Sequence, residues 1–202
     1  RVLYNNLFSG VYWDVQNTYI DDIECIEVIR GPGATLWGAN AVDGVINIVT
    51  KKSMDTQGAE VYGGLGTWEF KHEAGFRYGA QLGSKTHARI YAKDYRSGAG
   101  EYLDVSESTN DGFFPEGDDA NDDGKYQQVG FRTDTRIDGS SDITVQGDYY
   151  HGDFNTDRIT ISGMTESNMN DVEGYNLLTR WNKTFSDNSD LSVQFYLDHT
   201  SV

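Results

Sequence analysis

The chain has 202 residues, a formal charge of −16, 23 glycines, 2 prolines and 13% aromatic residues. So acidic a chain excludes nucleic-acid binding through phosphates, the aromatic content excludes disorder, and the lack of any apolar run of about 18 residues excludes a membrane-spanning helix. High Gly with 2 prolines, where about ten prolines would be ordinary, points to many strands joined by tight turns. The chain opens without Met or a signal sequence and ends inside an apolar alternation, which reads as an internal fragment of a longer protein.

Residues 1–52 are compact and mixed in pattern. In DDIECIEVIRG, Ile23, Ile26 and Val28 are spaced as in a helical turn running into a short strand. Cys25 has apolar neighbours and no nearby Cys or His, so it reads as a packed thiol rather than a metal or redox group. GPGATLWGANAVDG is a Gly-rich loop in which Gly31, Gly33, Gly38 and Gly44 are the turn glycines, permitting positive φ or close backbone approach. It lacks the Lys of a phosphate-binding loop, and position 36 is Leu where a dinucleotide loop needs Gly. VINIVTKK is a second strand. The expected architecture here is a small α+β unit, followed by a linker at 53–58.

From residue 59 the pattern has period two. After a short strand near 60–66, the segment 69–82 places Phe70, His72, Ala74, Phe76, Tyr78, Ala80 and Leu82 on one face. Lys71, Glu73, Arg77 and Gln81 fall on the other. A weaker alternation follows at 86–96. The connection at 99–124 holds nine acids and no Lys or Arg. Within it Asp119, Asn121, Asp123 and Gly124 match the first half of a calcium loop, but the position expected to carry the bidentate Glu is Gly130. A calcium ion held by Asp119, Asn121 and Asp123 is the one cofactor this sequence suggests; the alternative is a solvated acidic loop.

Alternation resumes at 128–137, where Val129 and Phe131 oppose Arg132, Asp134 and Arg136. It continues at 142–150, where Val145 opposes Asp148, less cleanly at 175–185, and at 191–198 through Val193, Phe195 and Leu197. Seven strands are expected in all. Such alternation sets one face in an apolar medium and the other in water. Short turns at 82–85, 138–142 and 186–190 alternate with mostly longer connections, including 99–124 and 153–173. A strand of about 11 residues at ~3.3 Å each, tilted ~40°, spans roughly 28 Å. These features fit an antiparallel transmembrane β-barrel; a soluble antiparallel sandwich shows the same alternation with the apolar face as its core.

The motif FSGVYWDVQ followed by DDIECIEVIRGPGATLWGANAVDGVINIVTKK, residues 8–52, resembles the C-terminal part of the plug domain of TonB-dependent outer-membrane receptors. Cys25 departs from the family pattern, as does Asp43, where Asn is common. The resemblance implies three regions: the end of a plug at 1–52, a linker at 53–58, and the first strands of a transmembrane barrel at 59–202. Seven of the family's about 22 strands would fall here. It also implies that Arg30, with Glu27 beside it, locks the plug by reaching carboxylates on the barrel wall. The alternative is a surface arginine paired with Glu27 or solvent.

The function implied is energy-coupled uptake of a scarce nutrient, an iron–siderophore or a cobalamin-like complex, by plug rearrangement in the bacterial outer membrane. The implied partners are a TonB-type energy-coupling protein, a metal-chelate ligand and outer-membrane lipid, with no nucleic acid and no covalent chemistry. His72, His87, His151 and His199 scatter over different strands, and no nucleophile elbow occurs. The competing readings are a passive outer-membrane barrel or adhesin, and a soluble calcium-dependent β-sandwich binder. On facing alone, Phe131 is expected to meet lipid, and loss of Arg132 from the lumen side is expected to be mild.

Overall fold

The computed structural model describes residues 3, 10–11, 18–33, 37–38, 41–67, 69–101, 120–159 and 165–201, with 157–159 and 165–168 described by backbone alone. Four of the eight residues of β1 (Ile23–Arg30) are Ile or Val, side chains that are stiff at χ1 and favour the pleated state. β1 pairs antiparallel with β2 (Gly44–Thr50), with Ile26 opposite Ile48 and Val28 opposite Ile46. The link between them turns through Gly31 and Gly38, whose φ values are 92° and 94°. It is tied by Gly31 N–H to Asp43 O and Gly33 N–H to Ala41 O. A Cβ at Gly44 would lie 2.6 Å from the Ile29 carbonyl oxygen, so only glycine lets the ladder begin there.

Two expectations are corrected here. The helical turn over Ile23, Ile26 and Val28 is instead a single 3-10 turn at Ile20–Asp22, and the three apolar residues are strand. The expected α+β unit is therefore an antiparallel hairpin among the described residues, because pairing with β2 satisfies backbone groups that a β-branched run would hold poorly in a helix. Cys25 is exposed rather than packed, and Arg30 is exposed at the end of β1, since nothing among the described residues covers those positions.

A second 3-10 turn, Ser53–Asp55, leads into a seven-stranded antiparallel sheet whose strands lie side by side in chain order. They are β3 (Gly58–Leu65), β4 (Phe70–Gln81), β5 (Thr86–Ser97), β6 (Gly124–Asp138), β7 (Ser141–Ile159), β8 (Thr165–Ser186) and β9 (Ser189–Ser201). The number agrees with the alternation. The lengths do not: β7 has 19 residues and β8 has 22, so most of the connection expected at 153–173 is paired strand. Past Gly152 the apolar alternation gives way to mostly polar residues, yet Phe154↔Asn170 and Asn155↔Met169 continue the ladder. Among the described residues no closed barrel is formed, and β3 and β9 are the two edges of the sheet.

Burial is inverted relative to a soluble sandwich. Arg89 is 4% exposed and Lys93 5%, whereas Val129 is 52% and Phe195 63% exposed. The charged face of the sheet is covered, in part by the residues that flank the hairpin, and the apolar face is open among the described residues. Further along the covered face, Tyr126, Tyr150 and Val172 form a buried cluster.

Candidate functional site

The covered face is where the hairpin is seated. The turn Ile20–Asp22 closes with Asp22 N–H bonded to Tyr19 O at 3.0 Å and aims the Asp22 carboxylate at the sheet. Asp22 is 1% exposed. Arg77 Nη1 on β4 donates to Asp22 Oδ1 at 2.6 Å, and Arg89 Nε on β5 lies 2.9 Å from Asp22 Oδ2. Arg77 Nη2 also donates to Glu60 Oε2 on β3 at 2.6 Å. Buried charges persist only when paired, and here Asp22 and Glu60 together offset the guanidinium groups of Arg77 and Arg89.

Tyr19 packs into the same place. Its ring lies 5.5 Å from that of Tyr62 and 5.4 Å from that of Tyr91, with the Arg77 guanidinium 5.9 Å above it. Burial first, then the neighbouring Glu60 carboxylate, push the Tyr19 phenol above the usual tyrosine range. It stays neutral and leaves the charge pairing to Asp22.

The second half of the seat follows β2. Lys51 N–H donates to Asp22 O at 2.8 Å, and Arg89 Nη1 donates to Lys51 O at 2.7 Å. Ser53 N–H and Oγ donate to Asp134 Oδ2 on β6 at 2.7 and 2.5 Å. Arg132 holds that carboxylate in a bidentate grip at 2.9 and 3.0 Å, Thr144 donates to it at 2.7 Å, and Arg132 Nη1 reaches Thr50 Oγ1 at 3.0 Å. Three carboxylates (Asp22, Glu60, Asp134) thus face three guanidinium groups (Arg77, Arg89, Arg132). The arrangement clamps by charge.

The residues singled out from sequence fall elsewhere. Glu27 Oε2 accepts from Asn47 Nδ2 at 2.7 Å across the hairpin. Arg30, three residues on, points to the opposite face of β1 and lies opposite Gly44, so the two are not brought together. Among the described residues the ionic contact with the sheet is centred on Asp22 instead. Gly31, Gly33, Gly38 and Gly44 shape the link already described. Asp119 lies outside the described residues. Asn121 has a φ of 49°, and Asp123 Oδ1 accepts from Asn155 Nδ2 at 2.8 Å. Sequence reasoning missed Asp22, Ser53, Arg89 and Asp134 as site residues. The available signal was two adjacent acids before a strand and arginines on the polar side of the alternation, but nothing local joins residues 55 positions apart.

No family model matches the chain. The chain is similar to the vitamin B12 transporter BtuB of Vibrio cholerae, 38% identical over 73 residues, which cover 36% of this chain and 11% of that protein. It is similar to the ferric enterobactin receptor of Pseudomonas aeruginosa, 48% identical over 48 residues, 24% of this chain and 6% of that protein. The iron-regulated outer membrane virulence protein of Vibrio cholerae is 67% identical over 30 residues, 15% of this chain and 5% of that protein. The chain thus matches 5 to 11% of the length of these relatives. They are receptors and transporters rather than enzymes. With the antiparallel sheet, these matches show that the chain is similar, over part of its length, to TonB-dependent receptors of the bacterial outer membrane.

Proposed function

We propose that the chain forms the end of a plug (1–52), a linker (53–58) and the first seven strands of a transmembrane barrel (59–202) in a receptor that takes up a scarce nutrient by energy-coupled plug movement. The observation that carries this reading is the inverted burial. Val129, Phe131, Val193 and Phe195 are exposed, while Arg77, Arg89 and Lys93 are buried. An apolar medium outside and a filled, polar interior inside produce that pattern, and water outside does not. A passive porin also has a polar lumen, but its interior is open to water, whereas here Asp22 and Ser53 fill the polar face. The nutrient is a metal chelate, cobalamin-like or an iron–siderophore, and a TonB-type protein supplies the energy. Arg30, exposed on the hairpin, is free to reach carboxylates on later strands and add to the seat.

The test is uptake of labelled cobalamin and of labelled ferric siderophores by cells that express the full-length protein and lack their own receptors. The expected result is accumulation of one class that stops when the energy-coupling protein is deleted. Absence of uptake for both classes, or uptake indifferent to that deletion, would refute the proposal.

A further inference from the structure

A separate set of ligand-bearing side chains stands on the opposite face of the sheet. On the outward side of β7 and β8, Tyr149 lies directly opposite Tyr175. The next two outward positions are the pairs His151↔Glu173 and Asp153↔Asp171. His151 Nδ1 is 3.4 Å from Asp171 Oδ1, and His151 Nε2 is 3.7 Å from Asp153 Oδ1. One ligand atom from each of His151, Asp153 and Asp171 lies within 4.8 Å of the others.

The charge balance of this patch is unusual. Like charges directly opposite on a ladder destabilise it, yet Asp153 faces Asp171, and Glu173 is the neighbouring outward residue on β8. The positive or neutral groups that meet them from adjacent strands are Lys125, opposite Asp153, and Gln127, opposite His151, on β6, and on β9 Ser201, opposite Glu173, with His199 at the next outward position, opposite Tyr175. Among the described residues, three carboxylates therefore share one lysine and two imidazoles, of which only His151 lies in the Asp153–Asp171 cluster. An imidazole nitrogen with two carboxylate oxygens is a donor set that suits zinc and similar borderline divalent ions.

We propose that His151, Asp153 and Asp171 form a divalent-cation site of the zinc class on the outward face of the β7–β8 hairpin. The ion offsets the Asp153–Asp171 repulsion and cross-links the two strands beyond the Tyr149–Tyr175 pair, with remaining positions open to water. The site is distinct from the calcium ligands expected at 119–123. It depends on the pairing of β7 with β8 and not on the transport reading, so either can fail alone.

The experiment is a calorimetric titration of the full-length, chelator-stripped protein in detergent with zinc chloride. The native protein is compared with His151→Gln, Asp171→Asn and His72→Gln, the last removing another outward-facing histidine. One zinc per chain is expected in the native protein and in His72→Gln. Affinity should fall about tenfold or more in each of the other two variants, since each removes one of three protein ligands. Circular dichroism establishes that the variants fold, and Asp153→Asn replaces any that does not. No binding at millimolar zinc, or binding that survives in folded His151→Gln and Asp171→Asn, overturns the proposal.

Discussion

Asp22 is the residue on which the hairpin's attachment turns. It lies at the end of a 3-10 turn, buried, between Arg77 and Arg89. Removing one partner of a buried ion pair costs about 3–5 kcal/mol because the remaining charge is stranded. Asp22→Asn is therefore expected to loosen the hairpin, read as faster amide hydrogen exchange over 19–22 and 51–56 in the full-length protein. Arg77→Ala in the same background should recover part of that loss, as coupled neighbours do. Exchange rates indifferent to Asp22→Asn would show that the seat is held by other contacts. Arg132 also changes standing. On facing alone its loss is mild, but Arg132 grips the carboxylate to which Ser53 is anchored and reaches Thr50 itself. Arg132→Ala is expected to raise exchange at 50–54 more than Ser53→Ala does, since the latter leaves both the Arg132 grip on Asp134 and the Ser53 N–H bond to that carboxylate in place.

At the scale of the strand, the two faces have different jobs and residue order decides which is which. Phe131 and Arg132 are adjacent and therefore point to opposite sides. Phe131 is exposed on the apolar face while Arg132 is bonded to Asp134 beneath the hairpin. An arginine at Phe131 should cost roughly 2–4 kcal/mol if that position sits near the bilayer midplane, measured by denaturant titration in lipid vesicles. A spin label at 131 should be relaxed by a lipid-soluble agent more strongly than one at 132; the reverse order would place the register one residue off. Length carries a second message. The 19 residues of β7 extend for about 60 Å at ~3.3 Å per residue. That exceeds the ~25 Å apolar band of an outer-membrane barrel, so the barrel reading sets much of the β7–β8 hairpin clear of lipid, on the side of Asp153 and Asp171.

For the whole molecule, the decisive fact is that a seven-stranded sheet leaves β3 and β9 unpaired along one side each. In lipid every backbone donor and acceptor must be satisfied, which an open sheet cannot do, and in water an edge beside an apolar face invites association. Residues 1–202 produced alone should aggregate or require detergent, and should conduct no ions in planar bilayers. A soluble monomer in analytical ultracentrifugation with a cooperative melt would contradict the membrane reading directly.

The number of strands in the large sheet and the alternation of their faces were readable from the sequence, because alternation with period two is a local signal that survives without knowledge of partners. The β1–β2 link was readable for a similar reason: Gly31 and Gly38 mark positive φ by residue type alone. Strand ends at Ile159 and Thr165 were not readable, since beyond the apolar band both faces meet polar surroundings and the alternation stops while the ladder continues. Nor was the helical spacing of Ile23, Ile26 and Val28 a safe guide, because a few apolar residues fit a turn and a strand equally until β2 supplies the pairing partner. The seat lay furthest from view. Asp22 and Arg77, or Ser53 and Asp134, are joined by no local pattern; which carboxylate meets which guanidinium depends on where the hairpin comes to rest on the sheet, and tertiary packing alone decides that.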